Sequence, residues 1–289
     1  MNYLLHLLIM IGIYLVLAYS LNLLTGFGGL LSLSHAAFYG IGAYLYVLFS
    51  MKLGLSFLPS LLVAVCLTGI FAFLLGIPAL RFRGDFFVFV TLGFQMIIFV
   101  ILYNWIKVTR GPYGIPGIPR PRIFGWEPNT LFQFLILVLL LDFIFIGLLF
   151  VLYDSPFGLS LKALRENERA AEALGKSAFR LFLWAFAIAG GVAAVSGALY
   201  ASYITYIDPT SFTLNESIFQ VALLLLGGSG NKKGPFVGTV IMILLPEALR
   251  FLGMPDTIAA NMRQIIYGLT LIFLMYFRPQ GIAGEFEVK

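Results

Sequence analysis

From Met1 to Met51 the chain contains no Asp, Glu, Lys or Arg. A helix rising about 1.5 Å per residue crosses the hydrocarbon of a bilayer in about 20 residues, so two passes fit before the first charge, Lys52. The remainder is hardly more polar. The chain has 289 residues, 61% of them hydrophobic and 11% charged, whereas soluble domains average about 25% charged residues. The expectation is an all-α, multi-pass transmembrane bundle. The opening run, residues 3–24, has no basic residue before it and exceeds the core of a secretory signal, so it is expected to stay as a helix. Cys66 is the only cysteine, which excludes an intrachain disulfide or a cysteine-ligated metal framework. The net charge of +5 sits in short loops between apolar runs, where basic residues orient a membrane protein, so nucleic acid is not an expected partner.

Charged residues and Pro/Gly clusters delimit apolar runs at 3–24, 28–51, 57–80, 86–106, 130–153 and 181–203. Three shorter runs follow, at 217–231, 234–246 and 264–277. Each needs a flanking charge such as Glu216, Glu247 or Arg263 to span, so the count is eight or nine segments. Short, Gly- or Pro-interrupted segments read either as discontinuous helices beside a transport path or as short tilted spans. Gly29, Phe38 and Gly40 recur as Gly227, Phe236 and Gly238 at an offset of 198 residues, a faint sign of internal repetition.

Orientation follows from basic residues. With nine crossings and the C-terminus cytoplasmic, the inner side holds Arg81, Arg83, Lys162, Arg165, Arg169, Lys176, Arg180, Lys232, Lys233, Arg278 and Lys289. The outer side holds Lys52, Lys107, Arg110, Arg120, Arg122, Arg250 and Arg263. The excess has the sign that positive-inside sorting requires, and eight crossings with the N-terminus inside remain open.

The one long polar stretch, residues 154–180, is too short for a domain. Ser160 is a candidate cap for a helix on which Arg165 pairs with Glu168, Glu166 with Arg169 and Glu172 with Lys176, with Gly175 as its stop. Leu161, Leu164, Ala171 and Leu174 form its apolar side. Such a helix can lie at the lipid surface or dock into a protein groove. Its mixed charge favours the protein, because lipid-surface helices are biased toward Lys and Arg. Gly175, Lys176 and Ser177 imitate the end of a phosphate-binding loop, but Ala170 stands where the first glycine belongs, so ATP, if used, is bound by a partner. In the run that follows, Ala189, Ala193, Gly197 and Ala201 fall four apart beside Gly190, Ala194, Ala198 and Ser202. This small-residue face is read as helix packing inside the chain before contact with a second membrane chain.

The strings TGFGGLLSLSHAAFYGIGAY (25–44), FRGDFFVFVT (82–91) and TRGPYGIPGI (109–118), the REN and AAEALG strings of 154–180, residues 208–212 and 227–235, and the ending FRPQGIAG (277–284) together resemble the branched-chain amino acid ABC permeases. The likeness covers nearly the whole chain in order, and TLGF and RENERAAEALG resemble one of that family's two permease types. The resemblance implies the fold of type II ABC importers, with 1–289 a single permease domain in the cell inner membrane. It also implies a coupling element at 154–180 that rests on an ATPase, with Arg165, Glu166, Asn167, Glu168, Ala171 and Gly175 as its coupling residues. The implied partners are a second homologous permease, two ATPase subunits that bind the ATP, and a periplasmic or lipid-anchored substrate-binding protein, with no cofactor in this chain.

A histidine inside a membrane is costly unless it faces a cavity or a partner. His35, with Ser32 and Ser34, is a candidate for the translocation path, as are Thr91 and Gln95, one turn apart; His35 can equally be hydrogen-bonded between helices, and Thr91 and Gln95 can equally staple helices together. Asp142 stands alone in an apolar helix and is expected to make an interhelical hydrogen bond. Glu247 and Arg250 are spaced to pair. No catalytic or metal-binding constellation is expected from two histidines and one cysteine. The function expected is import of Leu, Ile or Val with ATP hydrolysed by partners. The same machine carrying urea or short amides is the alternative within the class, and an ion-coupled secondary carrier using Asp142 is the alternative outside it.

Overall fold

The computed structural model of the chain describes residues 2–123, 125–250, 268–269 and 280–284. The helices are α1 (Asn2–Asn22), α2 (His35–Lys52), α3 (Phe57–Ala79), α4 (Asp85–Asn104), the single turn α5 (Ile106–Thr109), α6 (Leu131–Asp154), α7 (Pro156–Glu166), α8 (Glu168–Ala173), α9 (Ala178–Ile204), α10 (Leu214–Gly227) and α11 (Gly234–Arg250). A π-helical turn, Leu23–Phe27, extends α1. Two short strands, β1 (Ile115–Pro116) and β2 (Tyr206–Ile207), pair antiparallel.

Five of these segments are long and apolar enough to cross a membrane: α1 with its π turn, α3, α4, α6 and α9. Their outer faces explain why water is the wrong solvent. Leu62, Ile70 and Leu74 on α3, Phe89, Ile97 and Val100 on α4, and Leu139, Leu140 and Phe143 on α6 are all exposed, a belt far larger than the apolar patches that soluble monomers present. In lipid the same belt incurs no cost.

The centre of the bundle is α9, packed against α2, α3 and α1. Its small residues are the cause. A Cβ on Gly197 would run into the Tyr39 carbonyl, and a Cβ on Gly190 into Ala72, while Gly42 of α2 abuts the backbone at Ala194. Backbones this close gain dispersion contacts that lipid cannot match. The small-residue face expected from the sequence is thus used inside the chain. Rings fill the wider gaps around it: Phe38 meets Phe186 edge to face with centroids 5.3 Å apart, and Phe87 meets the same ring at 6.3 Å.

Two ends of the bundle are distinguished by their loops. At one end Arg83 pairs with Glu168, Lys232 with Asp154 at 2.5 Å, and Arg165 reaches the Gly26 carbonyl, so residues 26–29, 81–84, 154–180 and 228–233 share a face. At the other end β1 and β2 tie residues 115–116 to 206–207, Ile118 N–H donates to the Thr205 carbonyl at 3.2 Å, and His6 Nδ1 bonds Tyr203 at 2.6 Å. Thr130 starts α6 there with a reciprocal capping pair: Gln133 N–H donates to Thr130 Oγ1, and Thr130 N–H to Gln133 Oε1, both at 3.2 Å.

The run expected as one helix over 28–51 is split. Helix α2 begins only at His35, because the π turn and Gly29, at φ +69°, turn the chain back into the bundle as a non-helical segment, 28–34. The late short runs become α10, of 14 residues, and α11, of 17. They pack on each other across a tight glycine turn, and Ile282 and Ala283 donate N–H bonds to the carbonyls of Leu226 and Gly227 at 3.0 and 2.9 Å. The faint repeat has a physical counterpart: α1–turn–α2 and α10–turn–α11 are both helix pairs around a glycine turn. The two turns touch, with Asn22 Nδ2 donating to the Asn231 carbonyl at 2.9 Å and Gly230 N–H to Asn22 Oδ1 at 3.0 Å. The run 264–277, apart from 268 and 269, and the Arg250 side chain expected to pair with Glu247 lie outside the described residues, as do Arg263, Arg278 and Lys289.

Candidate translocation core and coupling face

Two segments outside the α-helices enter the bundle from opposite ends. Residues 28–34 come from the end carrying α7 and α8; residues 205–213, which include a turn at Pro209–Phe212, come from the other. Both place backbone groups among buried residues of the bundle, where each group needs a protein partner. The polar residues singled out in the sequence supply them.

Thr91 Oγ1 accepts the Leu33 N–H at 3.1 Å and donates to the Val88 carbonyl at 2.9 Å. Ser32 and Ser34 bond each other at 3.0 Å. His35 Nε2 bonds Ser20 of α1 at 2.7 Å. From the opposite segment, the Phe212 carbonyl accepts Gln95 Nε2 at 2.8 Å. Ser217 Oγ donates to Gln95 Oε1 at 3.3 Å and accepts the Ala36 N–H at 3.1 Å. Gln95 lies near the middle of the 20-residue α4, ~15 Å from either end at 1.5 Å per residue. The first turn of α2 and the first turn of α10 therefore meet at Gln95 close to mid-depth.

All five expected path residues, Ser32, Ser34, His35, Thr91 and Gln95, gather around this junction, and each is 0% exposed. Within the single chain His35, Thr91 and Gln95 bond to other segments, while Ser32 and Ser34 bond each other. Sequence reasoning missed Ser20, Ser217 and the Phe212 carbonyl. Ser20 was detectable as a polar residue in an otherwise apolar helix, and Ser217 as a hydroxyl opening a short run. His35 Nδ1 has no hydrogen-bond partner among the described residues. Replacing Gln95 by Ala strands the buried Phe212 carbonyl and the Ser217 hydroxyl. It is expected to lower stability by ~1–3 kcal/mol, read as an earlier thermal unfolding midpoint in detergent.

At the polar end, the expected single helix is two. Ser155, not Ser160, caps α7, accepting the Gly158 N–H at 3.4 Å; Ser160 lies within α7 and donates to the Pro156 carbonyl. At Asn167 the chain becomes extended, with φ −155° and ψ 98°, and the Asn167 side chain caps α8 by accepting the Ala170 N–H at 3.0 Å. That break destroys the helical spacing on which the expected pairs depended. Arg165 meets Glu166 at 2.7 Å instead of Glu168, and Glu168 meets Arg83. Gly175, at φ +82°, ends α8 as expected.

Burial sorts the residues expected to couple. Leu161, Leu164 and Ala171 pack inward, whereas Leu174, expected beside them, is 83% exposed. Glu166 and Asn167 are exposed, and Gly175 with them. Arg165 is the exception among the charges: its side chain is only 10% exposed and points into the bundle. Asp142 also departs from expectation. It is buried on α6 against Gly12 of α1, and neither carboxylate oxygen has a partner among the described residues. No group of three or more His, Cys, Asp or Glu is placed to hold a metal among those residues.

The sequence profile of the family described as branched-chain amino acid transport system / permease component matches residues 3–275. The chain belongs to this permease family. It is 34% identical to the high-affinity branched-chain amino acid transport system permease protein LivM of Escherichia coli (strain K12), over 93% of this chain and 67% of that protein. It is 26% identical to the probable branched-chain amino acid transport permease protein LivM of Methanocaldococcus jannaschii, over 78% and 68%. The probable permease LivH of the same archaeon matches over 56% of this chain and 50% of its own length, also at 26% identity. No solved structure gives a significant match. As a permease-family member the chain is a transport component, and its apolar helices place it in a membrane as a multi-pass protein.

Proposed function

We propose that this chain is the LivM-type permease subunit of an ATP-driven importer that carries leucine, isoleucine and valine across the inner membrane. The observation that carries the reading is the meeting of the first turns of α2 and α10 at Gln95, each preceded by a break in the α-helices, inside an apolar bundle within a chain of the permease family. Transporters place their path where helices are discontinuous, because freed backbone groups can be re-paired or opened to a cavity there. Ser32, Ser34, His35, Thr91 and Gln95 form the closed side of that path. The residues around them, Phe38, Phe87 and Phe212, are apolar, which suits release of an aliphatic side chain.

The whole chain acts as one permease domain of the type II fold, with eight or nine membrane segments. The face bearing α7 and α8 is cytoplasmic: among the described residues it holds Arg81, Arg83, Lys162, Arg165, Arg169, Lys176, Arg180, Lys232 and Lys233, against Lys52, Lys107, Arg110, Arg120 and Arg122 at the other end. Residues 280–284 sit at that same face beside Gly228, which agrees with a cytoplasmic C-terminus. The chain works with a second, LivH-like permease, two ATPase subunits that bind ATP, and a substrate-binding protein outside; it uses no cofactor of its own.

The substrate class is tested by ATPase stimulation in the assembled complex. Binding protein loaded with leucine, isoleucine or valine is expected to raise the hydrolysis rate, and unloaded protein to leave it low. Stimulation by urea, a short amide or a sugar in place of the branched-chain amino acids would move the chain to another branch of the same transport class.

A further inference from the structure

We propose that Arg165 is a positioning residue that ties α7 to the π turn of α1, so that displacement of α7 is passed to segment 28–34 and to the polar junction at its end. This deepens the importer reading, since it takes the α7–α8 face as the one an ATPase moves.

The π turn leaves a specific vacancy in hydrogen bonding. Carbonyls in the last turn of a helix lack intrahelical partners. Here Gly28 N–H takes the Leu23 carbonyl at 3.2 Å, Leu30 N–H that of Leu24 at 3.0 Å and Gly29 N–H that of Thr25 at 3.2 Å. The Gly26 carbonyl is taken instead by Arg165 Nη1, at 2.5 Å. A cation at the negative end of a helix is favoured by the helix dipole as well as by the bond itself. The arginine stem adds a steric contact. Gly29 lies so close to it that a Cβ there would stand 2.8 Å from Arg165 Cγ, at a backbone angle, φ +69°, that only glycine adopts easily.

A second residue of α7 holds the same turn from the other side. Lys162 Nζ stands over the Phe27 ring, 4.7 Å from its centroid. Phe27 stacks on Tyr153 with centroids 4.0 Å apart, and Tyr153 donates to the Tyr19 carbonyl at 2.5 Å. From this turn only residues 28–33 separate the grip of α7 from Ser34 and His35, and His35 is itself tied back to α1 through Ser20. π turns inside α-helices are frequent at functional sites, and a carbonyl freed by one gives a side chain from outside the helix a place to hold.

The experiment uses the complex with its second permease and ATPase subunits in proteoliposomes, and reads leucine uptake per ATP hydrolysed. Arg165→Met keeps the stem and removes the donors; it is expected to lower that ratio about tenfold, within the 5–150-fold range of site-to-site coupling, while the ATPase subunits stay bound. Arg165→Lys, which keeps charge and one donor, is expected to restore much of it. A merely structural role would lower assembly and hydrolysis together and leave the ratio alone. An unchanged ratio in Arg165→Met overturns the proposal. If that variant does not insert, the order Arg, Lys, Gln at position 165 decides: a falling ratio supports the tie and equal ratios overturn it.

Should the wild-type complex hydrolyse ATP and import no amino acid, the importer reading fails alone. The tie is then read by thiol labelling of Ser34→Cys with Cys66→Ala. Labelling about tenfold faster beside Arg165→Met than beside Arg165 supports it, and equal rates overturn it.

Discussion

Glutamate in place of Leu174 is expected to detach the ATPase subunits and reduce import at least tenfold, with the permease still inserted. Leu174 is 83% exposed at the end of α8, between Ala173 and the turn at Gly175. Leu161, Leu164 and Ala171 are buried, whereas Leu174 follows the last residue of α8, where the chain turns away at Gly175. A leucine held at the tip of a short helix, among the charges of the α7–α8 face, presents an anchor for an apolar socket. Central apolar anchors in interfaces contribute about 2 kcal/mol or more, and 1.4 kcal/mol is about tenfold in affinity; a buried carboxylate in the socket costs more. Co-purification of the ATPase subunits with the Leu174→Glu permease, together with normal leucine uptake, would remove α8 from the interface.

The second large effect has the opposite sign. Asp142→Leu is expected to stabilise the permease by ~1–3 kcal/mol, the cost of a buried polar group without hydrogen bonds, and to leave ATP-driven import intact. For a domain of this class of size that corresponds to an unfolding midpoint higher by several degrees, ~2–4 °C per kcal/mol. The carboxylate is 6% exposed and has no partner among the described residues. Gly12 packs directly against it, so a modest adjustment of α1 accompanies the larger side chain. An ion-coupled carrier, by contrast, would need this acid, since it is the charged residue best placed within the long spans. Loss of uptake in Asp142→Leu with protein present in the membrane would favour that mechanism over ATP coupling.

Much of the helical plan was legible because it rests on hydropathy alone. The bounds of α3, α4, α6 and α9 fall within a few residues of the apolar runs, since a span ends where charge or Pro/Gly begins. The start of α2 was not legible. Residues 28–34 carry no charge, and what keeps them out of a helix is the π turn, Gly29 and the hydroxyl of Thr91 on another helix. Ser155 as cap and the break at Asn167 follow from side-chain bonds that compete with helix, a choice that several Ser and Asn positions offer equally in sequence. For the site, the polar residues were legible in the sequence and their role was not. His35, Thr91 and Gln95 were visible as polar groups in apolar runs, but their partners are backbone groups of distant segments, which carry no signature. Arg165 shows the limit most clearly. Its charge suggests a surface pair with Glu168, and only the free Gly26 carbonyl, a product of the π turn, draws it inward.

The most direct measurement is uptake of radiolabelled leucine into proteoliposomes holding this chain with its second permease and ATPase subunits, with and without binding protein and ATP. Uptake that requires both is the expected result. Leucine entering on an ion gradient alone, without ATP or binding protein, would contradict it.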